Sequence, residues 1–137
     1  MFRSVVLVAL SAVALAGCAI SCTEMGCSGS LTVFLDRALA DGSTVSIDLG
    51  DGTMDCVEDT DTSLNGCILT DVDGSPAIVA STYMGQAPET VSLLIDEGAG
   101  AVTYDVTPTW SDPVYPNGEA CDGTDGGCRA GEADLAL

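Results

Sequence analysis

The sequence contains no histidine and no lysine, and only three arginines accompany its 21 acidic residues. Proton transfer and nucleophilic attack at neutral pH usually depend on His, Lys or an activated thiol. Carboxylates remain, but the paired ones in DCVEDTD and DVDG lie in turn-like segments. We therefore expect no enzymatic activity. The net charge of −18 also argues against a nucleic-acid-binding protein, because such a field repels phosphate groups.

Long hydrophobic runs are scarce as well. The run from Val5 to Ala16 is uncharged and apolar, but it is shorter than the roughly 20 residues that a membrane-spanning helix needs. Arg3 precedes it, and the small residues Ala16 and Gly17 follow it directly before Cys18. This layout is typical of a cleaved secretory signal peptide rather than a membrane span.

The four residues LAGC at positions 15–18 resemble the lipobox of bacterial lipoproteins. In that family the signal peptidase cleaves before the cysteine, whose thiol carries a diacylglycerol and whose amine carries a further chain such as palmitate. The resemblance implies lipidation of Cys18 and attachment to a membrane, since two or three acyl chains form a durable anchor. Residue 19 is Ala instead of the Asp that retains such lipoproteins at the inner membrane. We therefore expect a cell-envelope protein of the outer membrane.

The lipobox also predicts how the chain is divided. It implies a signal peptide at 1–17, a lipidated N-terminal tether at 18–28 and one folded domain at 29–137. Removing residues 1–17 eliminates Arg3 but none of the 21 acidic residues, so the mature chain has a net charge of −19. Such an acidic surface increases solubility and destabilises the folded state through self-repulsion.

Seven cysteines become six once Cys18 carries lipid, and an even number in an exported protein predicts three disulfides. Cys56 and Cys67 flank the polar segment VEDTDTSLNG, which predicts that they pair. The other four form two clusters, Cys22 with Cys27 and Cys121 with Cys128. Either each cluster closes on itself or the two clusters are joined. Loop entropy favours joining them, which would connect the two ends of the domain.

Apolar and polar residues alternate in five segments, LTVFLD, STVSIDL, ETVSLLID, AVTYDV and EADLAL. A period of two predicts half-buried strands; in AVTYDV it places Val102, Tyr104 and Val106 on one inward face. Turn signals such as ADGS, LGDGT, DVDGSP, EGAG and PNGE separate the apolar segments. Roughly seven or eight short strands predict an all-β fold, a disulfide-braced immunoglobulin-like antiparallel β-sandwich. A jelly roll or small barrel is the alternative.

Ca²⁺ is the one cofactor for which the sequence offers ligands. Carboxylates lie in glycine-rich segments, the oxygen-donor setting that a hard cation prefers; they are Asp48, Asp51, Asp55, Asp71, Asp73, Asp122 and Asp125. None of these segments completes the register of an EF-hand loop. We expect solvated turns without a bound metal. If a metal ion does bind, Asp71 and Asp73 are the nucleus of its site, because alternate residues of a turn can converge.

Trp110 is the single tryptophan, and we expect it to close one end of the core, as a lone large aromatic in a small domain usually does. The alternative is a binding lip formed by Trp110, Pro113 and Tyr115.

Across most of its length the chain resembles small lipoproteins that some Gram-negative bacteria carry in many copies. The likeness consists of the lipobox, a cysteine pair near the mature start, a middle pair, and a PNG turn before the last pair. These features predict a lipid-anchored structural or binding module of the cell envelope without catalytic activity, with an unidentified protein or glycan partner. The alternative is a Ca²⁺-dependent adhesion module.

Overall fold

A computed structural model describes residues 27–58, 66–83, 85–123 and 126–137. The predicted signal peptide, the predicted lipidation site Cys18, and Cys22 lie outside the described residues, as does Asp125. In the described parts of the chain, no helix has the length and apolar character needed to cross a membrane.

The described residues form nine strands and one short helix. In chain order these are β1 (Gly29–Leu35), β2 (Thr44–Asp48), β3 (Thr53–Glu58), β4 (Cys67–Val72), β5 (Ser75–Thr82), β6 (Val91–Asp96), β7 (Val102–Val106), β8 (Thr109–Trp110), α1 (Glu119–Asp122) and β9 (Ala130–Leu135). The five alternating segments correspond to β1, β2, β6, β7 and β9, so the all-β prediction is confirmed.

The strands form one mixed sheet in the order β7-β6-β2-β3-β4-β5-β1-β9-β8. A purely antiparallel arrangement, as expected from the sequence, is wrong, because β1 pairs with β9 and β3 pairs with β4 in parallel. Parallel neighbours usually need a long connection, as β1 and β9 have, since they are the first and last strands; β3 and β4 are separated by only the eight residues 59–66. A period-two pattern shows which face of a strand is buried but carries no information about the direction of its neighbour.

Inward-facing residues of strands that are distant in the sheet order meet in one core. Fully buried side chains include Leu31 and Val33 from β1, Ile47 from β2, Ile78 from β5 and Leu93 from β6. Because β6 and β1 are separated by four strands in the order yet share this core, the sheet is strongly curled. Each such side chain contributes about 1.5–3 kcal/mol through its removal from water.

One strand departs from its predicted inward face. On β7, Val106 is buried and Tyr104 is half-buried, but Val102 is 50% exposed. β7 is one of the two edge strands of the sheet, so its beginning has a hydrogen-bonded neighbour on one side only. The alternation in AVTYDV therefore predicted the strand correctly, but its prediction that Val102 is buried is wrong.

The DVDGSP turn signal forms a two-residue hairpin between β4 and β5. Val72 pairs with Ser75, and the two turn residues have positive φ angles, 51° at Asp73 and 83° at Gly74. These values suit the turn type that matches the twist of antiparallel strands, for which Asp-Gly is a preferred sequence. Local sequence thus accounts for this hairpin.

Two disulfides lie wholly within the described residues. Cys56 and Cys67 form the predicted bridge, with Cα atoms 4.5 Å apart. Cys27 bonds to Cys128 across 101 residues, which joins the N-terminal and C-terminal cysteine clusters as loop entropy favours. Cys121 is also disulfide-bonded, and its partner lies outside the described residues. The alternative in which each cluster closes on itself is therefore wrong for Cys27 and Cys128.

Candidate functional site

β3 changes its hydrogen-bonding neighbour partway along its length. Cys56 pairs with Val45 of β2, whereas the next residue, Val57, pairs with Ile68 of β4. The parallel ladder between β3 and β4 contains only two residue pairs, ending at Glu58 and Leu69. The disulfide of Cys56 lies at this crossing. The described part of the ladder ends at Glu58 and Leu69, and the candidate site lies beside this end.

An open groove of about 490 Å³ lies beside the end of this ladder and is lined by both Glu58 and Leu69. It is bounded by the connection between β1 and β2, the end of β3, and the β4–β5 hairpin. Its floor is apolar and consists mainly of Leu35, Leu39, Leu69 and Pro76. Leu35 is buried, while the other three are half-buried and keep part of their surface available to a ligand.

The rim of the groove is acidic. Asp41, Glu58 and Asp71 line the groove, and all three are exposed. They come from three different elements, the β1–β2 connection, β3 and β4, so negative charge is distributed around the opening. None of the described residues that line it is a lysine or arginine. The groove therefore combines apolar surface with three exposed carboxylates.

The nearby cation Arg37 forms an ion pair with Glu97 and not with the carboxylates of the rim. Its guanidinium donates two hydrogen bonds to Glu97, from Nη1 to Oε1 at 2.8 Å and from Nη2 to Oε2 at 2.7 Å. The backbone N–H of Ala40 donates to Glu97 Oε1 at 3.0 Å. These bonds attach the wall of the groove to the turn after β6. They also neutralise Arg37 locally, since Glu97 provides the opposite charge.

This arrangement accounts for the shifted pKa values of the pair. Hydrogen bonding to Arg37, followed by the bond from Ala40, lowers the pKa of Glu97 from 4.5 to about 2. The same contact with Glu97 raises the pKa of Arg37. Perturbed carboxyl groups can mark catalytic sites, but here a structural ion pair explains the shift.

The carboxylates considered as Ca²⁺ ligands are mostly engaged in local structure or are separated. Asp48 accepts a hydrogen bond from the Gly50 backbone N–H at 2.8 Å, and Asp55 accepts one from Ser46 Oγ at 2.7 Å. Asp122 accepts bonds from the backbone and side chain of Asn117.

Asp71, on strand β4, and Asp73, in the turn that follows, are both exposed. Across residues 27–58, 66–83, 85–123 and 126–137, no group of three or more potential ligating residues converges on one point.

Trp110 packs into the core rather than forming a lip. Its indole Nε1 donates to the Pro88 carbonyl at 2.9 Å, and its ring covers Gly131, where an added Cβ atom would come within 2.6 Å of the ring. Pro113 and Tyr115 instead lie against Gly127. The backbone bridge between Val114 and Cys128 holds that segment in place. Trp110 therefore packs against one glycine, Gly131, while Pro113 and Tyr115 pack against another, Gly127. The three residues do not share the packing expected of a single binding lip.

Sequence reasoning did not identify the groove. Of the seven groove residues named here, the sequence singles out only Asp71 as a possible ligand, and only as part of a Ca²⁺ site with Asp73 if a metal ion binds. Leu39 was a usable signal, because it is a lone large apolar residue in the polar connection DRALADGS. Glu58 and Leu69 become neighbours only because β3 changes from β2 to β4 as its pairing partner. No local sequence pattern predicts that change.

Comparison with known proteins finds no matching family, no similar curated protein and no similar solved structure.

Proposed function

We propose that this protein is a lipid-anchored module of the cell envelope that binds a partner through its β domain and has no catalytic activity. The observation that carries the binding role is the groove, which combines half-buried apolar residues with an exposed acidic rim. The absence of His and Lys from the sequence supports a role without catalysis.

The position of the disulfides supports an exported, anchored protein. Disulfides persist in oxidising compartments, and Cys27 is bonded to Cys128. Nine residue steps separate Cys18 from Cys27, which span at most about 30 Å when fully extended. A lipid on Cys18 would therefore keep the domain close to the membrane surface. Ala19 favours the outer membrane, in keeping with the lipoproteins that the lipobox resembles.

The finer description of the fold is also a proposal. We infer an immunoglobulin-like two-layer sandwich, with β7-β6-β2-β3 as one layer and β4-β5-β1-β9-β8 as the other. The shared core supports this division, since both groups contribute buried residues to it. Cross-strand nuclear Overhauser contacts would test it, and contacts inconsistent with the β1–β9 or β3–β4 pairing would reject it.

The anchor is tested by substituting Cys18. Metabolic labelling with a radioactive or alkyne-tagged fatty acid should label the wild-type protein, and Cys18→Ser should lose the label and retain residues 1–17, because the thiol accepts the diacylglycerol before cleavage. Cys22→Ser is the matched control, since it also removes a thiol near the predicted cleavage site and should keep the label. Equal labelling of the wild type and Cys18→Ser would contradict the lipoprotein assignment.

A Ca²⁺-dependent adhesion module was the alternative function, and no observation on the described residues favours it over the proposal above.

A further inference from the structure

We propose that the groove binds a short basic segment of a partner protein in which apolar side chains lie between Lys or Arg residues. This inference rests on the binding role proposed above and specifies its ligand. Pockets for small ligands typically enclose about 300–1,000 Å³, and the groove of about 490 Å³ falls within that range. Its size suits a few side chains of a peptide rather than the surface of a globular domain.

The apolar floor defines one half of the ligand. Leu39, Leu69 and Pro76 are half-buried and line the groove together. Burial of their remaining apolar surface by a ligand is favourable. A purely polar cation such as a polyamine would leave this surface in water, so the ligand needs apolar side chains that can reach the floor.

The acidic rim defines the other half. Asp41, Glu58 and Asp71 line the groove together with the apolar residues, and Arg37 is already paired with Glu97. Lys and Arg carry long apolar stems with charged ends, so they can extend from the floor of the groove to its rim. Complementary charge also accelerates encounter with the correct partner and repels incorrect ones. Anionic ligands are disfavoured by the same field.

Two other occupants fit these observations less well. A single metal ion needs several oxygens at one point, but in the described parts of the chain no group of three or more potential ligands converges. A second copy of this chain would bring together two chains of net charge −18 each, or −19 after loss of residues 1–17, and their repulsion opposes association. The three rim carboxylates come from different elements, so they can pair with several cationic side chains spaced along one peptide.

Binding of three fluorescein-labelled peptides to the purified protein tests the proposal. The peptides are GKLKGKLKG, GKSKGKSKG, which lacks apolar side chains, and GELEGELEG, which reverses the charge. Fluorescence anisotropy at fixed ionic strength should give saturable binding of the first with a Kd below about 1 mM. The serine peptide should bind at least about tenfold more weakly, because it cannot bury the floor, and the glutamate peptide should not bind.

A matched pair of triple variants then locates the site. Asp41→Asn, Glu58→Gln and Asp71→Asn together should weaken binding of the leucine–lysine peptide about tenfold, the combined effect expected of three exposed charge pairs. The control variant removes the same charge at exposed positions outside the groove, through Asp112→Asn, Glu132→Gln and Asp134→Asn. It should bind within about twofold of the wild type, because its charges lie away from the peptide. Circular dichroism checks that both variants are folded.

Several results would overturn the proposal. These are no saturable binding, equal affinity for the leucine and serine peptides, equal weakening in both triple variants, and displacement of the peptide by Ca²⁺ at constant ionic strength. The last result would assign the rim to a metal ion. Peptide binding in solution does not require the lipid, so failure here leaves the Cys18 labelling result intact, and failure of labelling leaves the binding result intact.

Discussion

The contact between Arg37 and Glu97 illustrates how a single residue pair shapes the candidate site. The Glu97 side chain is 24% exposed and receives hydrogen bonds from the guanidinium and from the Ala40 backbone. It therefore orders the β1–β2 connection, which carries Leu39 and Asp41 to the groove. A two-bond, charge-assisted geometry is more specific than a single surface ion pair.

At the residue scale we predict a pH-dependent effect of Glu97→Gln. The pKa of Glu97 falls from 4.5 to about 2 on folding, so the carboxylate contributes stability above its unfolded pKa and loses that contribution as the pH decreases toward 2. Glu97→Gln should lower the melting temperature at pH 6, and the difference from wild type should disappear near pH 2. Thermal denaturation followed by circular dichroism across this range measures it.

Glu132→Gln is the control for this prediction, because it removes the same charge at an exposed position on β9. It should leave the melting temperature at pH 6 unchanged or slightly higher, since it relieves self-repulsion. A Glu97→Gln protein that behaves like Glu132→Gln at pH 6 would show that the ion pair does not stabilise the fold.

At the scale of elements, the crossing of β3 brings Glu58 and Leu69 together at the groove. β3 leaves β2 after Cys56 and pairs with β4 over only two residues. So short a parallel ladder provides few hydrogen bonds, and the disulfide to the fully buried Cys67 adds a covalent connection at the same point. The disulfide therefore stabilises the contact between β3 and β4, to which the short backbone ladder contributes little.

We predict that replacing both Cys56 and Cys67 by Ala lowers the free energy of unfolding by about 3 kcal/mol, the value that loop entropy gives for a closed loop of about 11 residues. Alanine avoids burying a hydroxyl at position 67. Urea denaturation should also show a larger m value, because the unfolded chain becomes less compact.

The m value separates this explanation from a loss of packing, which would lower stability without enlarging the change in exposed surface. If the double variant and the wild type have equal stability, then the bridge does not brace the crossing. Peptide mapping of the wild type without reduction verifies that Cys56 is bonded to Cys67.

At the scale of the whole molecule, charge is the dominant property. The sequence has 21 acidic residues against three arginines, and one of those arginines is paired with Glu97. Self-repulsion therefore opposes the compact state throughout the domain, while the curled sheet and the Cys27–Cys128 bridge hold the ends together. Added salt should stabilise the fold by screening this repulsion.

We predict that NaCl and CaCl₂ at equal ionic strength raise the melting temperature equally. Screening depends on ionic strength, whereas a specific site would stabilise the folded state by mass action as Ca²⁺ increases. Differential scanning fluorimetry at fixed ionic strength compares the two salts. A Ca²⁺-specific increase that disappears in the variant with Asp71→Asn and Asp73→Asn would instead support the adhesion module. Glu132→Gln with Asp134→Asn is the charge-matched control.

The sequence by itself determined the features that depend on neighbouring residues. Alternation identified β1 and the burial of Leu31 and Val33, because successive side chains of a strand point to opposite faces. Asp73 and Gly74 determined a hairpin through their backbone preferences, and Cys56 paired with Cys67 because a short polar segment separates them. These outcomes depend on interactions within about a dozen residues of chain.

Only the tertiary structure decided the features that depend on distant parts of the chain. The parallel pairing of β1 with β9, the exposure of Val102 at a sheet edge, and the crossing of β3 all depend on which strands become neighbours. The groove is of this kind, since Leu39, Glu58 and Leu69 meet only after that choice. Which strands become neighbours depends on how much apolar surface the whole core buries in each arrangement. A local sequence pattern does not contain that information.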